Sequence, residues 1–139
     1  VFTLENNPEF DPSSMEDELF RRASRYGWKI VVEYLLTDPR VDPTAMSNHA
    51  IRYAADNGHV DIIRLLLADP RVEPSCDRNR AIRWAVMKGH LEVVELLLEC
   101  PRLTLNQEDI RWTTSYARNY GRMDINDLIR NYEKLKYDK

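Results

Sequence analysis

The chain has 139 residues, of which 43% are hydrophobic and 31% charged, and its formal net charge is −3. This composition fits one compact domain or a short repeat array and excludes a disordered chain. The slightly acidic balance argues against nucleic-acid binding, which needs clustered positive charge. No apolar run approaches the roughly 20 residues that a membrane-spanning helix needs. We therefore predict no nucleic-acid partner and no membrane partner.

The first residues, V-F-T-L-E-N-N-P, lack the charged and apolar regions of a signal peptide. Cys76 and Cys100 are the only cysteines and lack metal-ligand spacing, so we predict reduced thiols, with a disulfide as the alternative. We expect an intracellular protein, located in the cytoplasm, or in the host cytoplasm if the source is viral.

The chain repeats itself at a spacing of 31 residues. Asn48–Leu67 reads N-H-A-I-R-Y-A-A-D-N-G-H-V-D-I-I-R-L-L-L, and Asn79–Leu98 reads N-R-A-I-R-W-A-V-M-K-G-H-L-E-V-V-E-L-L-L. Repetition at a fixed period indicates a solenoid. We predict an all-α helical solenoid of about four stacked helix-turn-helix repeats with short inter-repeat loops. Residues 1–139 would form one domain, with repeats at about 7–37, 38–68, 69–99 and 100–135 and a tail at 136–139.

The first repeat begins with N-P-E-F-D-P-S at residues 7–13, which matches D-P-R-V-D-P-T at residues 38–44 and predicts an inter-repeat loop. The helix pair that follows has two apolar stripes at helical spacing. The first stripe contains Leu19, Phe20 and Ala23, and the second contains Ile30, Val31, Tyr34 and Leu35. Asp17, Asn48 and Asn79 occupy one repeat position, where we predict helix N-caps.

The second and third repeats have the most regular pattern. Small alanines line a short first helix, and a longer second helix presents Val60, Ile62, Ile63, Leu66 and Leu67, then Leu91, Val93, Val94, Leu97 and Leu98. The prolines of D-P-R-V-D-P and D-P-R-V-E-P must end each second helix, because proline lacks the amide donor and restricts the preceding residue.

The fourth repeat is less regular. Its second helix keeps an apolar stripe of Met123, Ile125, Leu128 and Ile129. Polar Asn126 and Arg130 replace the apolar residues found at Val94 and Leu98. We predict that these two residues face water, as a terminal cap requires.

The stretch A-I-R-Y-A-A-D-N-G-H-V-D-I-I-R-L-L-L resembles the ankyrin repeat, whose pattern runs T-P-L-H-x-A-A-x-x-G-H-x-E-V-V-x-L-L-L. Here H-A-I-R and R-A-I-R replace T-P-L-H, and the short D-P-R-V-D-P period implies a shortened β-hairpin finger. The resemblance implies a stack whose concave face is made by first helices and loop tips. It also implies binding of another protein, without catalysis.

The residues predicted to face a partner are those that the resemblance assigns, together with Tyr53, Trp84 and Tyr116 of the aromatic row described below. The principal ones are Met46, Asn48, Tyr53, Asp56, Asn57, Asp77, Asn79, Trp84, Met87, Lys88, Tyr116 and Tyr120. Further positions are Ser14, Met15, Arg25, Tyr26, Ala45, Cys76 and Asn119.

Tyr53, Trp84 and Tyr116 share one repeat position, which predicts an aromatic row along the first helices. Such residues serve as binding anchors or as half-buried framework between helices, and both interpretations stay open. A structural role is predicted for each repeat's closing glycine and the histidine that follows it. These residues are Gly27, Gly58, His59, Gly89, His90 and Gly121.

Arg52 and Arg83, together with Arg21, form a basic row that either grips an acidic partner or covers the neighbouring repeat. The acidic residues Asp61, Glu92, Glu95 and Asp124 are expected on the solvent side of second helices. No phosphate loop, nucleophile elbow, H-E-x-x-H or C-x-x-C pattern is present. We therefore predict no enzymatic activity, no metal and no cofactor.

The function predicted from the sequence is a non-enzymatic protein–protein interaction module, monomeric on its own. One alternative is a targeting or regulatory segment of a larger enzyme or adaptor protein. The other is a scaffold without an evolved partner.

Overall fold

The structure is a computed structural model that describes residues 12–137, and these residues form eight α-helices and no β-strand. In chain order the helices are α1 (Pro12–Tyr26), α2 (Lys29–Leu36), α3 (Ala45–Asp56), α4 (Val60–Ala68), α5 (Cys76–Lys88), α6 (Leu91–Glu99), α7 (Gln107–Asn119) and α8 (Met123–Tyr137). None of these helices is long and apolar enough to cross a membrane.

The helices are arranged as four stacked pairs, α1 with α2, α3 with α4, α5 with α6 and α7 with α8. First helices pack on first helices and second helices on second helices, and the first helices pack more extensively. Ala54, Ala81 and Ala85 are fully buried along this row, where a small side chain lets two backbones approach closely. The all-α helical solenoid predicted from the sequence is therefore confirmed.

The second helices of the central units bury the stripe that the sequence predicted. Ile62, Ile63 and Leu66 in α4 are at most 1% exposed, and so are Val93, Val94 and Leu97 in α6. Burying an aliphatic side chain of this size contributes about 1.5–3 kcal/mol. The core is therefore continuous through the stack.

The predicted stripe of α2 is wrong at two positions, because Ile30 is 78% exposed and Tyr34 73% exposed. Ile30 occupies the repeat position of Asp61 and Glu92, which faces solvent in every unit. Val32 and Leu35 are the residues that α2 buries. In α1, Phe20 and Ala23 are buried as predicted, whereas Leu19 is 41% exposed.

The loops between units contain turns and no strand among the described residues, so the predicted β-hairpin finger is absent there. In the loop between α4 and α5, the Asp69 carboxylate accepts hydrogen bonds from the Arg71 backbone amide at 2.9 Å and from Arg71 Nη2 at 2.8 Å. The hydrogen bond from Arg71 lowers the pKa of Asp69, and the same Asp–Arg turn recurs at Asp38 and Arg40. For the first loop, predicted at residues 7–13, residues 7–11 lie outside the described part, and Pro12 already belongs to α1.

The first helices of the central units begin with a left-handed turn that the sequence did not predict. Met46, Ser47 and Asn48 have φ of 55–56° and ψ of 44–54°, and Asp77 to Asn79 have φ of 52–58°. This conformation costs a residue other than glycine about 1–2 kcal/mol, and asparagine tolerates it better than most. Tertiary contacts must therefore hold both turns.

The predicted N-cap role of Asp17, Asn48 and Asn79 is wrong, because each side chain bonds the following loop instead of its own helix. Asp17 Oδ1 accepts from the Asp42 amide at 2.7 Å, and Asn48 Oδ1 accepts from the Glu73 amide at 3.0 Å. Asn79 Nδ2 donates to the Thr104 carbonyl at 2.8 Å. One repeat position thus fastens each unit to the next.

The fourth unit starts α7 differently, with a capping box. Asn106 has extended backbone, and its side chain accepts from the Asp109 amide at 2.7 Å while Asp109 Oδ2 accepts from the Asn106 amide at 3.2 Å. The expectation that Asn126 faces water is wrong: it is 7% exposed, because α8 keeps the register of Val94. Ile125 and Ile129 are buried as predicted, Arg130 is exposed, and Met123 is 51% exposed.

Candidate partner-binding surface

The outer sides of α1, α3, α5 and α7 form one surface, which we call the first-helix face. Side chains link neighbouring helices across it: Arg25 of α1 lies 4.9 Å over the Tyr53 ring of α3. Tyr53 packs edge-on against Trp84 of α5 with 5.3 Å between ring centroids, and Arg83 of α5 lies 5.1 Å over the Trp112 ring of α7. The face is therefore pre-organised by contacts between units.

Most of the predicted partner-facing residues are at least partly accessible on this face. Met46 is 65% exposed and Tyr120 63% exposed. The others with accessible surface are Tyr53, Asp56, Asn57, Asp77, Trp84, Met87, Lys88 and Tyr116.

Asn48 and Asn79 are corrections to that set, because they are only 7% and 5% exposed. Their side chains are engaged in the bonds to the following loops described above. A partner that touched them would first have to break those bonds. In this structure they hold the stack together and are buried on the first-helix face.

Several charges on the face are neutralised by each other. Lys88 Nζ lies 3.5 Å from the Asp56 carboxylate, and Asp77 lies 3.1 Å from Arg80 and 3.5 Å from Arg52. Ion pairs with this much exposure contribute about 0–1 kcal/mol. They set the local charge of the surface more than its stability.

The predicted aromatic row is continuous only between Tyr53 and Trp84. The Tyr53 ring is enclosed, since His49 stacks on it at 4.1 Å between ring centroids and Arg25 covers it. These contacts favour the framework interpretation for Tyr53. Trp84 is half-buried, with the Arg80 guanidinium 5.3 Å from its ring.

Tyr116 belongs to a separate stack that runs along α7. Its ring lies 5.3 Å from Trp112 and 4.4 Å from Tyr120, with interplanar angles of 21° and 18°. Trp112 was not among the predicted site residues. The spacing Trp112-x3-Tyr116-x3-Tyr120 was a usable signal, because residues four apart are neighbours on a helix. Trp112 and Tyr116 line a surface cleft together with Glu108, Arg111, Ser115 and Asn119.

The predicted basic row is not free to grip a partner at Arg52 and Arg83. Arg52 donates from Nε to the Ser47 carbonyl and from Nη2 to the Met46 carbonyl, both at 3.0 Å, and so holds the left-handed turn. Arg83 Nη2 donates to Asp109 Oδ1 at 2.6 Å, and the Asp109 side chain is 5% exposed. Arg21 makes no ion pair among the described residues.

His49 lies between α1 and α3 and is surrounded by positive charge. Burial and the nearby guanidinium groups of Arg21, Arg52 and Arg25 lower the pKa of His49 to about 4. The imidazole is therefore neutral at pH 7. Its Nδ1 is buried and has no hydrogen-bond partner among the described residues.

The predicted structural glycines and histidines meet across the seams between units. His59 Nε2 lies 2.8 Å from the Arg25 carbonyl and His90 Nε2 lies 2.9 Å from the Asp56 carbonyl, so each ring contacts the preceding unit. A Cβ on Gly27 or Gly58 would come within 2.8 Å or 2.7 Å of those histidine rings. At Gly89 the neighbour is Arg122, and at Gly121 nothing lies within 4 Å.

Acidic, cysteine and histidine side chains are the groups that a metal site or a reactive thiol would use. No three His, Cys, Asp or Glu side chains among the described residues are grouped to hold a metal ion. Burial raises the pKa of the Cys76 thiol, which would make it a poorer nucleophile, and Cys76 and Cys100 are both free. Asp61, Glu92, Glu95 and Asp124 are exposed on second helices, as expected.

The fold, its period and the seam contacts define a helical repeat protein, and the chain belongs to the ankyrin-repeat family. The family model described as "Ankyrin repeats (3 copies)" matches residues 19–109, which is more than half of the chain. Proteins of this family generally bind other proteins and are typically not enzymes. No curated protein and no solved structure matches the chain.

Proposed function

We propose that this chain is a non-enzymatic interaction module that binds a partner protein through the first-helix face and the loop tips. The observation that supports this most directly is the aromatic stack on α7. Trp112, Tyr116 and Tyr120 are stacked in an accessible position, and the exposed end of the stack, Tyr120, is 63% exposed. Tyrosine and tryptophan in such positions are the residues that most often dominate protein interfaces.

The mechanism is pre-organisation. The face is built on helices, and its side chains are already held by contacts between neighbouring units, such as Arg25 over Tyr53. A surface that is ordered before binding loses little conformational entropy when a partner docks. Affinity then comes from a few aromatic anchors and the polar residues around them.

Affinity capture from the source cell with the wild-type chain and three variants tests this proposal. Trp84→Ala and Tyr120→Ala should each weaken capture of the same partner by about tenfold or more. Tyr34→Ala is the matched control, because Tyr34 is 73% exposed on α2, on the opposite row. A fall in melting temperature without loss of binding would show that the aromatic residues are framework only, and would overturn the proposal.

We further propose that residues 1–139 act as one intracellular domain that is monomeric without its partner. The continuous core from α1 to α8 supports a single domain, and the two free thiols support a reducing compartment. Light scattering during size-exclusion chromatography should give the monomer mass. A concentration-dependent dimer would contradict this.

A further inference from the structure

One cleft on the first-helix face differs from the rest of that face in charge. We call it the N-terminal cleft; it lies between α1 and α3 and has a volume of about 490 Å³. Its lining residues are Glu18, Arg21, Arg22, Arg25, Tyr26, Met46 and His49. Three arginines thus surround a single carboxylate.

Two of the three arginines of this cleft keep their positive charge without a carboxylate partner in the part of the chain that the structure describes. Glu18 is engaged by Arg22, with 2.7 Å between Oε1 and Nη2. Arg21 and Arg25 make no ion pair among the described residues. By contrast, Arg52, Arg80, Arg83 and Lys88 each have an aspartate within 2.6–3.5 Å.

Arg25 is positioned for binding rather than merely exposed. Its guanidinium lies 4.9 Å from the Tyr53 ring and 5.8 Å from the Tyr26 ring. Aromatic faces hold a guanidinium plane by cation–π attraction and leave its N–H donors available. Such a planar donor group matches the geometry of a carboxylate or a phosphate.

His49 adds an unused polar group to the same cleft. Its buried Nδ1 has no partner among the described residues, and in the tautomer with the proton on Nδ1 it can donate a hydrogen bond. The charged groups around the ring are Glu18, Arg21 and Arg25 from α1, Arg52 from α3 itself, and Asp77 from α5 beside Arg52. Their balance is positive, and it depresses the pKa of His49.

We propose that the N-terminal cleft binds an anionic side chain, a carboxylate or a phosphate group, of a peptide segment in the partner protein. This inference rests on the proposed function and names the chemistry of one end of its surface. Arg21 and Arg25 are the residues that bind the anion, with His49 as an additional donor. Tyr26 and Met46, 58% and 65% exposed, flank the cleft and are available to the neighbouring peptide residues.

A peptide fits this site better than a nucleic acid does. Nucleic-acid binding depends on many successive phosphate contacts along a charged track. The two arginines offered here, Arg21 and Arg25, lie in one cleft. Farther along the face, Arg52, Arg80 and Arg83 are paired with aspartates and break up such a track. One or two adjacent negative charges are what the site can satisfy.

The inference has a spectroscopic consequence. An anion between Arg21, Arg25 and His49 offsets the positive field, so bound anion must raise the pKa of His49. By linkage, protonating His49 must strengthen anion binding by the same factor.

The test uses three fluorescein-labelled peptides of otherwise identical sequence, with Glu-Glu, phosphoserine or Gln-Gln at the centre. Fluorescence anisotropy should give at least one anionic peptide about tenfold tighter binding than the Gln-Gln peptide, as charge-assisted hydrogen bonds predict. The variant with Arg21→Gln and Arg25→Gln should lose this preference. Arg64→Gln, an exposed arginine on α4, is the matched control and should keep it.

A second measurement keeps the inference testable if the double variant folds poorly. Titration of the wild-type protein by NMR should show the His49 pKa rising when the preferred anionic peptide or inorganic phosphate is added. Equal binding of all three peptides, no binding of any, or an unmoved His49 pKa would overturn the inference. So would tighter binding of a single-stranded oligonucleotide through the same arginines, which would point to a nucleic acid.

Failure of this inference and failure of the proposed function give different results. If Trp84 and Tyr120 govern capture of the partner but the charge of the peptide has no effect, the interaction module stands and the anion site does not. If no captured protein depends on the first-helix face, the proposed function fails, whatever the short peptides do.

Discussion

The two central units and the fourth unit start their first helices in different ways. Helices α3 and α5 begin with three left-handed residues and no side-chain cap of their own. Helix α7 begins with extended Asn106 and a reciprocal capping box with Asp109. Asn48 and Asn79, at the starts of α3 and α5, bond to the following unit, whereas the start of α7 makes its capping bonds within residues 106–109.

This difference shows which interactions stabilise the first turn of each helix. Asn48 fixes the loop of the next unit, and Arg52 holds the carbonyls of the left-handed turn. Removing the next unit would remove the bond between Asn48 and the Glu73 amide, whereas the bonds of Arg52 lie within α3 itself. The capping box of α7 would persist without a neighbouring unit. Asp109 also accepts hydrogen bonds from Asn79 and Arg83 of α5, so one carboxylate serves both the cap and the contact between the two units.

The largest effect is expected for Asp109→Ala. The substitution removes the capping partner of Asn106 and leaves Arg83 and Asn79 without their carboxylate, so the free energy of unfolding should fall by about 3–5 kcal/mol. Urea denaturation measures it. Asp124→Ala, at an exposed carboxylate in the first turn of α8, is the control and should cost less than about 1 kcal/mol. Equal losses would mean that Asp109 does not join the two units.

A smaller loss, about 2 kcal/mol, is expected for Asn48→Ala. The Glu73 amide loses its acceptor, and alanine tolerates φ of 56° less well than asparagine. Asn48→Gly separates the two contributions, because glycine accepts the backbone conformation but cannot make the bond. Denaturant melts should rank the wild type first, Asn48→Gly second and Asn48→Ala third. If the glycine variant is the least stable, strain in the turn is not significant.

Asn106→Ala should lower the free energy of unfolding by about 1 kcal/mol, the usual cost of losing an N-cap. Asn106→Ser should recover most of it, since serine can accept the same bond from the Asp109 amide. Thermal melts of the three proteins provide the measurement. If the free energy lost on Asn106→Ala were as large as that lost on Asp109→Ala, Asn106 would have to stabilise more than the start of its own helix.

The last prediction concerns pH. In the unfolded chain His49 gains its proton near pH 6.5, but in the folded protein only at about pH 4. The unfolded state therefore binds more protons in this window, and stability falls as the pH drops from 6.5 toward 4. His49→Gln should show a smaller drop in melting temperature between pH 7 and about pH 4.5 than the wild type does. An identical drop would contradict the low pKa.

The periodic part of the structure could be predicted from the sequence, and so could the structural role of the closing glycines and of His59 and His90. The hydrogen bonds of Asn48 and Asn79 to the following loops could not. Helical spacing predicts the buried stripe that contains Ile62, Ile63 and Val93, because the helix period fixes which residues lie on one side. Ile30 misled that reasoning, since an apolar residue at a solvent position looks the same in a sequence window. The left-handed turn at Asn48 depends on Glu73, 25 residues away, and no local pattern contains that bond.

The surface was predicted in outline only. Met46, Trp84 and Tyr120 lie on the first-helix face where the family resemblance placed them. Asn48 and Asn79 were wrongly predicted to be accessible. A polar residue at a helix start is usually exposed, but here tertiary hydrogen bonds hold the side chain in a buried position. Arg52 and Arg83 were equally ambiguous, since their pairing with backbone carbonyls and Asp109 depends on the stacking of units.

The glycine that closes one unit packs against the histidine of the next, and we call this contact a joint. These joints limit how such an array can change in length. Gly27 leaves room for His59, and Gly58 leaves room for His90, but Gly89 faces Arg122. Duplicating residues 38–68 would rebuild a glycine–histidine joint on both sides of the new unit. Removing or adding a unit next to the fourth would have to preserve the pair of Gly89 and Arg122. The array is thus free to grow from its middle, whereas its last joint is specific to one neighbour.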